Sequence, residues 1–162
     1  MGGQLRKHYF LDQYVVIAPK RAKRPDKVPL DASHHENPTD TDIVNERALY
    51  TLKNEHGDWL VKVIPNKYPA LTPDTAEAFG KQEVIIETPE HDTEFSQLSL
   101  GQIERVFATY MKRSLLMYNL PGIRYVSVFK NDGAKAGASI RHAHSQIIGL
   151  PLIPPSLQTE AM

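Results

Sequence analysis

Two imidazoles and a carboxamide stand at alternate positions in His142-Ala-His144-Ser-Gln146, directly behind the small-residue run Gly133-Ala-Lys-Ala-Gly137-Ala-Ser139. On a strand, alternate side chains leave the backbone on the same side, so His142, His144 and Gln146 would share one face. An uncharged imidazole, with an ordinary pKa of about 6.5, is a good nucleophile near neutral pH. Its attack on phosphorus gives a covalent phosphoramidate and splits one hard transfer into two easier ones. The phosphoryl oxygens must be held meanwhile. Glycines let the backbone approach a ligand closely. The N–H groups from Gly133 to Ser139, with the Ser139 hydroxyl, are suitable donors. Gln146 can donate through its amide without a titrating proton. One strand histidine alone is more simply a half-buried polar group. The joint pattern is rarer than its parts and suits chemistry on a phosphorus atom.

The elements that must position these residues can be read from apolar period and turn chemistry. Tyr14–Ala18 is β-branched and reads as a buried strand, followed by a basic, proline-bounded loop over 19–25. The polar stretch 27–47 reads as a loop. Ala48–Leu52 and Trp59–Ile64 form a hairpin whose turn contains Gly57, and Gln82–Glu87 is a further strand. Ser99 and Gln102 make a capping box that opens a long helix. The apolar period through Leu100, Ile103, Phe107, Tyr110, Met111, Leu115 and Tyr118 predicts the stripe that packs on a sheet, with Met111 and the aromatics as core. Leu120-Pro121-Gly122 stops the helix, 123–130 is a strand, and 147–150 extends the histidine strand. The proline-rich end from Pro151 onward is not sheet core. The whole predicts an α+β domain over 1–162, a largely antiparallel sheet backed by one long helix.

Composition narrows the function classes. Lysine plus arginine and aspartate plus glutamate each number 19, so the formal net charge is zero. A protein living on nucleic acid or on an anionic membrane is expected to carry a basic excess. No apolar run approaches the ~20 residues of a membrane span. The absence of cysteine rules out a disulfide framework, and a cytoplasmic protein is the expectation.

The run Gly137-Ala-Ser139-Ile-Arg-His142-Ala-His144-Ser-Gln146, preceded by Val128-Phe129-Lys130-Asn131-Asp-Gly133, resembles the signature of the galactose-1-phosphate uridylyltransferases, the transferase branch of the histidine triad superfamily. The hydrolase branch has a third histidine where this chain has Gln146. The resemblance covers nearly the whole chain and corresponds to the first half of the family. It implies a histidine-triad-like fold and a ping-pong reaction. His144 attacks the α-phosphorus of UDP-glucose, and a hexose-1-phosphate such as galactose-1-phosphate then takes the UMP group. Ser139 and Gln146 steady the phosphate oxygens. The resemblance also points to Arg21 and Arg24, in Arg21-Ala-Lys-Arg24-Pro25, as phosphate contacts, and to Asn66, in Asn66-Lys-Tyr-Pro-Ala-Leu71, as a nucleotide contact. Asn131 and Gly137 complete the expected substrate contacts, and a homodimer is expected. Other members of the superfamily use inorganic phosphate or water as acceptor, although Gln146 leans away from water. A nucleotide-binding module without turnover is the remaining alternative.

Enzymes of this class commonly hold zinc through two cysteines and two histidines. The histidines match His91 and His142. Where the cysteines are expected, the chain reads Asp31-Ala-Ser-His34-His35-Glu-Asn37, which places Asp31 and His34 in the two remaining ligand positions. Zinc accepts carboxylate oxygen and imidazole nitrogen, so the site is chemically allowed without the cysteines; a solvated histidine-rich loop that holds no metal is the alternative reading.

Overall fold

The computed structural model describes residues 3–23, 43–91, 93–131, 140 and 142–160. Two antiparallel sheets result. β1 (Gln4–Lys7) pairs with β2 (Tyr14–Ile17) in a two-stranded ribbon. The main sheet has the order β3-β4-β5-β7-β6, with β3 at Tyr50–Lys53, β4 at Trp59–Pro65, β5 at Lys81–Ile86, β6 at Tyr125–Phe129 and β7 at His144–Leu150. Every pair in it is antiparallel. Helix α1 (Leu100–Tyr118) packs on one face, and a short helix, α2 (Pro155–Glu160), ends the described chain. This is the α+β arrangement expected from the sequence.

Gly57, at φ +90°, supplies the left-handed residue of the β3–β4 turn, a conformation that costs other residues a Cβ clash. The helix face of the sheet is closed by Val61, Val63, Ile85 and Ile147 against Val106 and Met117. Burying side chains of this size stabilises by roughly 1.5–3 kcal/mol each. The opposite face carries a second group, Ile64, Val84 and Ile86, with Trp59 and Ile43 against it.

Two expectations are corrected. β2 is apolar but not buried: Tyr14, Val15 and Ile17 are all exposed. Gln4 of β1 donates to Glu77 on the 3-10 turn Ala76–Ala78, but a ribbon of only two strands is too small to bury the side chains of β2. The helix also presents a different face to the sheet. Gln102, Val106, Thr109 and Met117 are its buried residues, whereas Leu100, Phe107, Met111, Leu115 and Tyr118 are exposed. The reason is polar. β5 and the residue that follows it place two carboxylates on the helix side of the sheet, Glu83 and Glu87, both fully buried. The helix turns toward them the side chains that answer polar groups. Arg113 clasps Glu83 at 2.8 and 2.7 Å, and Tyr110 donates to Glu87 at 2.7 Å. Apolar periodicity alone cannot see this requirement.

The cap is likewise half of what was expected. Ser99 Oγ accepts from the Gln102 N–H at 3.3 Å. The Gln102 side chain does not reach back; it donates instead to the carbonyls of Leu60 and Glu87 at 2.8 and 2.7 Å. A reciprocal capping box does occur one turn earlier, between Glu94 and Gln97.

Candidate functional site at the start of the histidine strand

β7 is flanked on both sides, by β5 from Lys81↔Gly149 to Ile86↔His144 and by β6 from Tyr125↔Leu150 to Phe129↔Gln146. Alternation along β7 sends Ser145 and Ile147 toward the helix and His144 and Gln146 to the other face. The expected shared face for those two is therefore real. His142 lies before the strand begins, so its position is set by side-chain contacts instead of the pleat.

His144 is 4% exposed. Its Nδ1 lies 2.9 Å from the carbonyl oxygen of His142. A carbonyl can only accept, so Nδ1 carries the proton. In the neutral ring the lone pair is then on Nε2. Two residues on, Gln146 Oε1 accepts from Asn66 Nδ2 at 3.3 Å, which leaves the Gln146 NH2 group as the donor on the site side. Asn66 is held in turn: its Oδ1 accepts from the Tyr68 N–H at 3.0 Å, and its own N–H donates to Gln82 O at 3.3 Å. Residues 80 positions apart are thus joined in one donor array beside an oriented imidazole.

The other expected residues divide. His91 and His142 meet, their ring centroids 5.4 Å apart and their planes at 84°. His142 Nε2–H donates to Thr88 O at 2.6 Å, so Nδ1 bears the lone pair in the neutral ring. Asn131 directly follows Lys130 at the end of β6 and is half-buried. Arg21 is half-buried on the 3-10 turn Pro19–Lys23, outside the main sheet. Ser139, Gly137, Arg24, Asp31 and His34 lie outside the described residues. Among the described residues, no three His, Cys, Asp or Glu side chains gather as a metal site, and no helix is long and apolar enough to cross a membrane.

Sequence reasoning missed what lies beneath. On the helix side, Glu87 accepts from Tyr110 OH, from Ser145 Oγ and, at 2.8 Å, from Lys130 Nζ. Burial and the negative charge of Glu87 push the Tyr110 hydroxyl far above its usual titration range. One signal was present: a charged residue, Glu87, directly after the apolar run Val84-Ile-Ile86.

An antiparallel sheet backed by one helix, with His-x-His-x-Gln running into one of its inner strands, defines a histidine-triad-like domain. A histidine triad nucleotide-binding protein from Sulfolobus tokodaii shares this fold, at 18% identity and a TM-score of 0.52 over 69% of this chain and 68% of its own, a likeness of fold alone. The chain belongs to the family described as Domain of unknown function (DUF4931) N-terminal domain, whose model matches residues 31–153. It is 32% identical to an ADP-glucose phosphorylase of Arabidopsis thaliana over 96% of this chain and 51% of that one. It is 24% identical to a galactose-1-phosphate uridylyltransferase of Thermotoga maritima over 97% of this chain and 49% of that one. The crystal structure of an Arabidopsis thaliana ADP-glucose phosphorylase with bound ADP-glucose superposes with a TM-score of 0.68 at 32% identity, over 98% of this chain and 52% of that one. The resemblance read from the sequence holds. The chain spans about half the length of the relatives it matches.

Proposed function

We propose that this domain transfers a nucleotidyl group from a nucleotide-sugar to a phosphate-bearing acceptor through a covalent nucleotidyl-His144. One observation carries the reading: the His144 Nδ1–H is spent on the His142 carbonyl, which puts the neutral ring's lone pair on Nε2 in a side chain that shares its sheet face with Gln146. In the first step a bond forms between Nε2 and the α-phosphorus, and the bond from that phosphorus to the sugar phosphate breaks. The leaving sugar-1-phosphate is a stable anion and needs no proton. Positive charge that develops on the ring is stabilised by the hydrogen bond from Nδ1–H to the carbonyl. In the second step an acceptor phosphate oxygen attacks and the P–N bond breaks, restoring the ring. Gln146 donates to a phosphoryl oxygen in both steps. Ser139, Gly137, Asn131, Arg21 and Arg24 complete the proposed phosphate and nucleotide contacts.

UDP-glucose as donor and galactose-1-phosphate as acceptor is the first specific reading, supported by the uridylyltransferase relatives. A second is favoured by the relative at 32% identity, named ADP-glucose phosphorylase: an adenylyl donor with inorganic phosphate as acceptor. Intact mass after incubation with UDP-glucose and with ADP-glucose separates them, because the gain equals one uridylyl or one adenylyl group. Loss of the gain in His144→Gly is expected. Unimpaired transfer by that variant would remove the nucleophile.

Zinc is part of the same proposal. His91 and His142 are two imidazoles brought together at one turn, a donor pair that suits zinc, with Asp31 and His34 as the remaining ligands. Bound there, the ion would act structurally, fixing the turn at residues 88–91 to the residue that orients His144. Metal analysis of untagged protein is expected to give about one zinc per chain, and below about a tenth of an equivalent the site is not a zinc site.

A further inference from the structure

The backbone that carries His144 is anchored from the face opposite its ring. β7 pairs with β5 only as far as His144 and with β6 only as far as Gln146. Residues 142–145 therefore straddle the point where the ladder runs out on the β6 side. Lys130, the first residue after β6, reaches into that gap, and its Nζ donates to the His144 carbonyl at 3.1 Å. The same ammonium is held by Glu87 Oε2 at 2.8 Å and stands 5.5 Å from the centre of the Phe95 ring. Glu87 Oε1 accepts hydrogen bonds from the hydroxyls of Tyr110 and Ser145. The Glu87 N–H donates to the Ala143 carbonyl at 3.0 Å, and the neighbouring Thr88 carbonyl accepts from His142 Nε2–H. Four consecutive residues, His142 to Ser145, are thus tied to the dipeptide Glu87-Thr88, directly or through Lys130.

Stability does not require this device. Burying a carboxylate and an ammonium costs desolvation that their attraction barely returns, and well-packed apolar residues commonly do as well or better. What the ion pair supplies is one fixed placement of a short segment that has lost its strand partner on the β6 side. We propose that Lys130, anchored by Glu87, is a positioning residue for His144: it fixes the 144 peptide so that the Nδ1–H meets the His142 carbonyl and Nε2 faces the phosphorus. This rests on the nucleophile reading given above. Misplacement of reacting groups by about 1 Å can cost up to about a hundredfold in rate.

The test uses Lys130→Met, the conservative Lys130→Arg, and the double variant Glu87→Gln/Lys130→Met, which leaves no unpaired buried charge if the single one fails to fold. Three quantities are read on the full chain: nucleotide-sugar affinity by calorimetry, the rate of nucleotidyl adduct formation, and the His144 tautomer by imidazole nitrogen NMR. Affinity is expected to stay within about twofold while adduct formation falls about 10–100-fold. The tautomer is expected to change from Nδ1–H to a mixture, and Lys130→Arg is expected to recover most of the rate. Parental rate and tautomer in the folded Met or double variant would overturn the proposal. So would a loss of rate that follows melting temperature with the tautomer unchanged. If the parent forms no adduct with either nucleotide-sugar, the nucleophile reading fails, and the tautomer comparison alone decides whether Lys130 positions the ring.

Discussion

Asn66 Nδ2 donates to Gln146 Oε1 at 3.3 Å, so an asparagine beyond the end of β4 determines which end of the Gln146 amide faces the site. This makes a directional prediction. Asn66→Ala removes the donor but lets Gln146 keep its orientation part of the time, and adduct formation is expected to fall about tenfold. Asn66→Asp offers only an acceptor, which draws the Gln146 NH2 toward itself and turns Oε1 to the phosphate. The loss there is expected to approach the roughly 10²–10³-fold cost of removing a whole oxyanion donor. Single-turnover rates for the two variants, measured side by side, check the order. Asn66→Asp equal to or faster than Asn66→Ala would contradict the assigned amide orientation.

Gln146 also bears on the acceptor. An amide orients a phosphate but cannot take a proton from water, whereas an imidazole can. Gln146→His is expected to divert the nucleotidyl-enzyme toward hydrolysis. With sugar phosphate or inorganic phosphate withheld, free nucleoside monophosphate should accumulate several-fold faster than in the parent. Phosphorus NMR of the product mixture reads the partition directly.

Tyr110 gives a pH signature. Desolvation and then the nearby Glu87 charge raise its pKa in the folded state, above an unfolded value of about 10. Above pH 10 the unfolded chain therefore binds fewer protons than the folded one, and stability must decline as pH rises. The contribution is fully present below pH ~10 and is withdrawn above it. Melting temperatures from pH 8 to 11 should fall less steeply in Tyr110→Phe than in the parent. A parallel decline in the two proteins would mean the hydroxyl is not held neutral by the fold.

Arg113 and Glu83 form the second buried ion pair, bidentate at 2.8 and 2.7 Å, with the lysine at position 81 a further 3.3 Å partner of the carboxylate. Arg113→Met leaves that carboxylate buried beside one cation only. Breaking such a pair costs about 3–5 kcal/mol, and the remaining lysine places the expectation near the lower end. Denaturant unfolding measures it. Restoration by Glu83→Gln in the same chain would show that the penalty is the unpaired charge.

Close packing gives a prediction at Gly80. A Cβ added there would sit 2.6 Å from the Gly149 carbonyl oxygen and 2.8 Å from Leu71 Cβ. The carbonyl belongs to β7 and cannot retreat without shifting the strand that carries the histidines. Gly80→Ala is expected to cost about 1–3 kcal/mol, read as a lower denaturation midpoint.

Much of this molecule was legible in the chain because short-range chemistry decided it. The β3–β4 hairpin follows from alternating apolar runs around Gly57, and the helix start follows from Ser99. The likeness of the histidine segment to a known transferase signature is carried by contiguous residues, as is the shared face of His144 and Gln146, since a strand repeats every two residues. The buried face of α1 was not legible. The widest apolar arc of the helix faces solvent, and what turned Gln102 and Arg113 inward was the polar demand of Glu87 and Glu83, on and just after a strand in another part of the chain.

By itself, then, the amino-acid order determined the main-sheet strands, the long helix and the fold class, and it pointed to the reacting groups proposed here, since each depends on neighbours a few residues apart. Only the tertiary structure decided how those groups are aimed. The His144 tautomer depends on a bond to a carbonyl placed by the fold, the Gln146 amide on Asn66 across the sheet, and the histidine backbone on Lys130 and Glu87 from the opposite face. Hydrogen-bond direction is a property of atoms about 3 Å apart in space, and no local spacing rule encodes which distant residues will meet there.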